Sequence, residues 1–441
     1  MKNDNSLTST HGIEDVIIII GIFIFAYILF YCFSLAYKVY LMRKEAKTGI
    51  ILEISLEKDS EQNPFAIEQL WSSFHGLYLP WYKTIFKAQP FFSFEIKSEN
   101  TMKTKQKNIT FNIWVPEEYK KFVTQRILSI YPSAEIKVLK RDYIPQEEAA
   151  IENGGFLTIE TAELGLSSHS AFSLKTFTDY EVDPLASVTA ALTDLDNREI
   201  AIVQIVAQPI SFKWRRKAER VLTRFERTGR KPNNLPEWTH FFSGLLGTVF
   251  FVIDEIINGI FTRNPDFKDG KVSKTSLDSD RQKEMGEKTK RPPFSFQVRL
   301  LFATPYDKQQ AQVRIRNMVA SFNDFEGPYN GLKKELVVYK KITLSRMRNR
   351  HLQIFNDDIV STQELAGLAH LPNKNMKTPG LKKILSKKQE APINLSDENS
   401  FAVAEFRDGK TLIGLDEKAR MRHIYVTGMT GVGNLLVLPC E

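Results

Sequence analysis

The apolar positions of this chain change period several times, and each change marks an element. Residues 16–37 carry no charged side chain and are dense in Ile, Phe, Leu and Tyr. As a helix the run would rise about 33 Å, enough to cross the hydrocarbon core of a bilayer. A buried core helix or a cleaved signal peptide would share that composition. Lys2 is the only basic residue among the first fifteen, and no A-x-A-like cleavage site follows, so the run reads as a membrane anchor. Lys38, Arg43, Lys44 and Lys47 follow it, whereas Asp4, Glu14 and Asp15 precede it. The positive-inside rule then predicts a single pass, with residues 1–15 outside and the bulk of the chain in the cytoplasm.

Beyond the anchor the period switches between two and 3.6. Residues 50–56 alternate as a strand. Asn63-Pro64 opens a helical pattern over 65–74, with proline in the first turn. Residues 91–96 and 109–115 read as strands. Pro116-Glu117-Glu118 starts a helix to about 129, its acidic residues placed where the dipole favours them. Residues 134–139 read as a fourth strand. The order βαββαβ is the ferredoxin-like plan. A second set repeats it, with a strand at 172–177 and a helix opened by Asp183-Pro184 and running to about 192. A strand at 199–206, a strand at 294–303, a helix opened by Pro305-Tyr306-Asp307 and a closing strand at 335–339 follow. Residues 156–159 read as an added strand. The predicted fold class is α+β: a transmembrane helix at 16–37, one ferredoxin-like module at 48–145 and a second at 155–342. Residues 210–293 form an insertion in the second module.

The insertion opens on a basic amphipathic pattern. Lys213, Arg215, Arg216, Lys217, Arg220, Arg224 and Arg227 alternate with Trp214, Ala218, Val221, Leu222 and Phe225 at spacings of three and four. One face of this helix should pack. The other is either a solvated face or a contact for anionic lipid or nucleic acid, with Lys213, Arg215, Arg216, Arg220 and Arg224 as the candidate residues. Residues 241–253 are apolar and end at Asp254-Glu255. They read as core or subunit contact, with an interfacial membrane helix or a second span as the alternatives. Residues 264–293 read as a polar loop.

Residues 344–355 predict a further basic helix, and Ser361-Thr362-Gln363-Glu364 is a capping box before a short helix ending at Leu371-Pro372. The segment 343–400 reads as this helical stretch followed by a polar linker. Residues 401–406 and 411–415 flank Arg407-Asp408-Gly409-Lys410, a hairpin pattern with Asp-Gly in the turn.

Composition narrows the partners. The 441 residues carry a net charge of +8, which suits an anionic partner such as nucleic acid or the inner membrane surface. The two cysteines, Cys32 and Cys440, give no disulfide framework. The seven histidines form no metal-ligand spacing, and no metal site is read.

After the hairpin comes Ile424-Tyr425-Val426-Thr427-Gly428-Met429-Thr430-Gly431-Val432-Gly433. An apolar strand followed by G-x-x-x-x-G is the start of a phosphate-binding loop, whose backbone N–H groups cradle the α/β-phosphates. The next two positions should be Lys, for the β- and γ-phosphates, and Ser/Thr, for Mg²⁺. Here they are Asn434 and Leu435, and Pro439 breaks the helix that should come next. No catalytic residue is assigned, and this chain is not expected to hydrolyse ATP. One base lost from AAA-TCT-ACT (Lys-Ser-Thr) gives AAT-CTA-CT, which reads Asn434-Leu435-Leu436. A frameshift within the loop is therefore the hypothesis for this ending.

With these residues in hand, 397–433 resembles the opening of the ATPase domain of the HerA–FtsK superfamily. The resemblance is strongest to type IV secretion and conjugation ATPases, including TraG/TraD-like coupling proteins. Residues 64–77 and 361–372 resemble the N-terminal regions of membrane-anchored bacterial members. The match is good over about a tenth of the chain. It implies a RecA-like hexameric motor, starting at 401–441, that moves DNA or protein at the bacterial inner membrane. In an intact relative it would use ATP and Mg; for this chain no cofactor is expected. Gly428, Thr430, Gly431 and Gly433 match the phosphate loop. Implied partners are the membrane, secretion or conjugation apparatus subunits, further copies of the chain and DNA. The competing readings are a non-catalytic membrane scaffold of a secretion or pilus system and a fragment of an FtsK-like DNA translocase.

Overall fold

The structure is a computed structural model. It describes residues 7–57, 64–100, 107–145, 158–177, 180, 183–228, 286–335, 340–353, 356–372, 378–384, 396–406, 409–415, 418 and 421. They belong to two units, 1–384 and 385–441.

The first unit is mixed α and β. Helix α1 (Leu7–Thr48) contains the apolar run and passes without a loop into strand β1 (Gly49–Glu57). It is long and apolar enough to cross a membrane, and most of its side chains between 25 and 40 lie exposed. Next come α2 (Pro64–His75), β2 (Phe92–Asn100), β3 (Lys107–Pro116), α3 (Lys120–Ile130) and β4 (Glu135–Leu139). Then come β5 (Thr158–Leu166), α4 (Leu185–Ala191), β6 (Ile200–Pro209) and α5 (Trp214–Thr228). They are succeeded by β7 (Pro293–Thr304), α6 (Lys308–Ala320) and β8 (Leu332–Lys334).

These strands form one sheet in the order β4-β1-β3-β2-β6-β7-β5-β8, antiparallel throughout. Within each half the strands of a βαββαβ sequence lie in the order 4-1-3-2. The halves join through their second strands, β2 and β6.

The remaining elements fasten onto this sheet. Helix α7 (Lys340–Asn349) crosses one face. Strand β9 (Ile359–Ser361) pairs with the start of β7, and α8 (Thr362–Leu368) continues from it at once. Strand β10 (Lys383–Ile384) runs parallel to the end of β1, and Lys382 N–H donates to the Ile109 carbonyl. The second unit contains the hairpin β11 (Ser396–Phe406) and β12 (Gly409–Gly414), with Phe406 paired to Gly409.

The sheet's two faces differ in chemistry because successive side chains along a strand point to opposite sides. One row of directly paired residues is Leu52, Ile113, Phe94, Ile205, Val298 and Leu164. All six are buried in the main core, under α2, α3, α4, α6 and α8. One residue along, the paired row on the other face reads Glu53, Asn112, Glu95, Gln204, Arg299 and Glu163.

Several sequence expectations change. The second set starts with Thr158–Leu166, not with residues 172–177. Glu160 and Glu163 break the apolar alternation there, yet both are buried in ion pairs, with Lys340 and with Arg346. Residues 172–174 serve as a loop, where Leu174 N–H donates to the Glu364 carboxylate at 2.7 Å. The closing strand is Leu332–Lys334; residues 336–339 lie outside the described ones. The helix expected at 344–355 spans Lys340–Asn349 and stops at Arg350, whose φ of 53° leaves the helical region. Residues 380–384, expected in a polar linker, add to the sheet. The apolar segment 241–253 lies outside the described residues, as does 264–285 of the loop read at 264–293; the rest of that loop is helical at 286–290 and enters β7 at Pro293.

Candidate functional site

Residues Gly428, Thr430, Gly431 and Gly433, with the strand 424–426, lie outside the described residues. The hairpin that should precede them is present.

Helix α5 packs as its pattern predicts. Trp214, Ala218 and Phe225 are buried against Ala171, Phe172 and Ile359, with Val221 partly buried beside them. Lys213, Arg215, Arg216, Lys217 and Arg220 are exposed on the outer face; the Arg224 side chain lies outside the described ones. Arg215 pairs with Glu219 at 3.0 Å, and Lys217 reaches Asp357 at 3.4 Å. The outer face therefore keeps a positive excess, which can meet phosphate or headgroup oxygens.

Periodicity does not reveal the polar row on the second sheet face. Gln204 and Arg299 sit inside strongly apolar strands, Ile200–Pro209 and Pro293–Thr304, whereas Glu95 takes a polar position of the alternating strand Phe92–Asn100. A polar residue in a strongly apolar run is the signal that could have found the first two. Two small apolar clusters flank the row. One is Ile202, Leu301 and Ala303 with Leu344 and Met347; the other is Ile51, Phe91, Trp114 and Val206 with Leu352. The row is thus shut between sheet and covering segment.

Its hydrogen bonds run from strand to cover. Arg350 Nε donates to Glu95 Oε1 at 2.8 Å, while Nη1 and Nη2 reach the Asp142 carboxylate at 2.6 and 2.9 Å. Ser93, Gln204 and Tyr143 also donate to Glu95. Arg299, fully buried, donates to Gln297 and to the carbonyl of His351, each at 2.6 Å, and to the Arg346 carbonyl at 3.3 Å. Glu163 accepts from Gln297, Arg346 and Gln353. An unpaired charge here would cost several kcal/mol, so the cover and the row depend on each other. Burial pulls the Arg299 guanidinium down to about 10, against the upward pull of Glu163. Burial pushes Asp142 up, but the Arg350 guanidinium offsets this and its net shift is downward.

At the β5 end, Glu335 and Asp358 converge over Gly165. A Cβ there would lie 2.3 Å from Glu335 Oε1 and 2.6 Å from Asp358 Oδ2. Burial, then the charge of Glu335, pushes Asp358 up to about 7; burial and Glu163 raise Glu335.

A second clamp holds α8. Lys288 Nζ lies 3.0 Å from Glu364 Oε1 with both side chains buried, and Lys288 also donates to the Phe172 carbonyl. Glu364 closes the capping box with Ser361. Among the described residues no group of His, Cys, Asp and Glu is arranged to hold a metal ion. Most donors and acceptors of the buried rows are spent on each other, with Asn112 Oδ1 and Arg299 Nε left without a hydrogen-bond partner, so their chemistry is chiefly fastening. The outward chemistry lies on α5.

The sequence profile of a domain of unknown function, DUF8128, matches residues 38–383. The chain belongs to the DUF8128 family. The match begins where the apolar run of α1 ends and closes at β10, so the DUF8128 region contains the whole sheet, both clamps and α5. No curated protein matches the chain.

Proposed function

We propose that this chain is the membrane-anchored N-terminal region of a DNA- or protein-translocating ATPase of the secretion or conjugation type, with no catalytic competence of its own. The observation that carries the reading is the series after the sheet: an Asp-Gly hairpin and then, in the sequence, the apolar run 424–426 followed by Gly428 and Gly433 at phosphate-loop spacing. A helix long and apolar enough to anchor the chain supports it, as does the positive charge just beyond that helix's apolar run. The 4-1-3-2 order in each half of the sheet, with helices on one face, supports two ferredoxin-like modules. In this reading the DUF8128 region is the part of the chain that lies in sequence between anchor and motor, and its buried clamps hold residues 340–353 and 356–368 against its own sheet.

The coding DNA after codon 433 tests the proposal. A −1 frame that restores Lys-Ser/Thr and continues into a long frame with a downstream Walker B carboxylate is expected. Absence of any such frame would overturn the motor reading.

A further inference from the structure

The strand registers place several exits at one end of the sheet. Gly49 of β1 pairs with Pro116 of β3, Ser93 of β2 with Trp114, Phe92 with Ala207 of β6, and Pro209 with Phe294 of β7. The C-terminus of α1, the connection from α2 to β2 and the root of α5 therefore share that end. Gly49 and Pro209 stand three strand intervals apart, about 14 Å.

The α2–β2 connection is a built turn at this end. Lys83 and Thr84 N–H donate to the Pro80 carbonyl, and Phe86 and Lys87 N–H to that of Lys83. Gln89 ties it to the α5 root, donating to the Pro209 carbonyl at 3.1 Å and accepting from Gln208 at 3.2 Å. Lys87 pairs with Glu118, and both act electrostatically on Glu45 of α1. Yet the turn exposes Trp81 by 71%, Tyr82 by 54%, Ile85 by 47% and Phe86 by 80%, with Lys83 exposed among them. Phe212, at the start of α5, is also exposed and lies against His75, 5.0 Å between rings.

We propose that the turn Pro80–Phe86 is a membrane-docking element. Trp81, Tyr82, Ile85 and Phe86 enter the headgroup–acyl boundary of an anionic bilayer, and the basic outer face of α5 lies against the headgroups. Three observations select lipid as the occupant. Trp and Tyr with an adjacent Lys is the composition of interfacial belts. The turn sits where α1 leaves the sheet: from Tyr40, the last exposed aromatic of α1, to Gly49 is about 14 Å of helix. The neighbouring helix presents Lys213, Arg216 and Arg220 outward, complementary to anionic headgroups. This inference rests on α1 crossing the bilayer.

The test uses the full chain in nanodiscs, with and without phosphatidylglycerol, carrying nitroxide at shallow or deep acyl positions. A fluorophore on Cys32, exposed on α1, in a Cys440→Ser background reports the anchor. The difference between wild type and Trp81→Phe isolates the Trp81 emission. Quenching of Cys32 by deep nitroxide, with a blue-shifted Trp81 quenched by shallow nitroxide and shielded from iodide, is the expected result. Shallow quenching should be stronger with phosphatidylglycerol, and equal quenching would overturn the role given to α5. If Cys32 is quenched while Trp81 stays open to iodide, the docking proposal falls and the anchor stands. If Cys32 is not quenched, the anchor reading falls. Trp81 shielded from iodide but silent to nitroxide would mean that a second copy covers the turn, and would overturn lipid docking.

Discussion

Arg350 reaches Glu95 from a left-handed backbone: its φ is 53°, and its Nε lies 2.8 Å from Glu95 Oε1. That conformation costs a non-glycine residue on the order of 1–3 kcal/mol and persists only where surrounding contacts hold it. Two carboxylates, Glu95 and Asp142, supply those contacts. Arg350→Ala would leave Glu95 buried without its cation, and a loss of about 3–5 kcal/mol is expected from urea unfolding in detergent. Arg350→Ala with Glu95→Gln should recover part of that loss. Additive losses in this double-mutant cycle would show that the pair is not coupled.

Asp358 should make stability fall as pH rises. Its folded pKa, about 7, lies above the ordinary carboxyl value near 4, so the folded state holds the proton more tightly. The contribution is full below about pH 4 and is lost as pH climbs through 7, on the order of 4 kcal/mol over that interval. Glu335, also raised, acts in the same direction. Thermal unfolding of Asp358→Asn between pH 5 and 8 is expected to show a flatter profile than wild type. An unchanged slope would sink the assignment.

Lys288→Met should destabilise by about 3–5 kcal/mol, because it strands the Glu364 carboxylate beneath Ser361 and Leu174. The double variant Lys288→Met with Glu364→Gln should be closer to wild type. Limited proteolysis near residue 370 would report release of α8.

Gly49→Ala tests how tightly α1 meets the sheet. The added methyl would lie 1.9 Å from Trp114 Cζ2, and that ring is stacked on Phe91 at 4.9 Å. Overpacking of this kind costs about 1–3 kcal/mol. A changed near-UV signal from Trp114 should accompany the loss, and an unaltered spectrum would count against the packing described.

The first half of the sheet is legible in the sequence because its strands alternate cleanly and Pro64 and Pro116 punctuate it. The second half is obscured where charge interrupts apolar spacing. Glu160 and Glu163 hide β5, since a partner for them lies in α7, some 180 residues on. No local window contains such a pair. The packing face of α5 is readable from Trp214, Ala218 and Phe225, because helical spacing alone sets it. The exposed aromatic turn is not, since Trp81 and Phe86 look like core residues until the fold leaves them outside. Arg350's left-handed turn is equally silent, as nothing in its side chain marks that conformation.

The junction at Thr48 and Gly49, where α1 becomes β1 without a loop, fixes an angular phase. Each residue of helix turns the next part of the chain by about 100° and advances it by about 1.5 Å. Leu41 is buried, and Ala46 packs beside Ile51 and Trp114, so the helix cannot swivel where it joins. For an anchored chain, one residue inserted between 38 and 47 would rotate the aromatic turn and the basic helix by nearly a third of a revolution relative to the span. The length of that stretch therefore acts as an azimuthal setting, determining which side of the domain is turned toward its neighbours around the membrane axis.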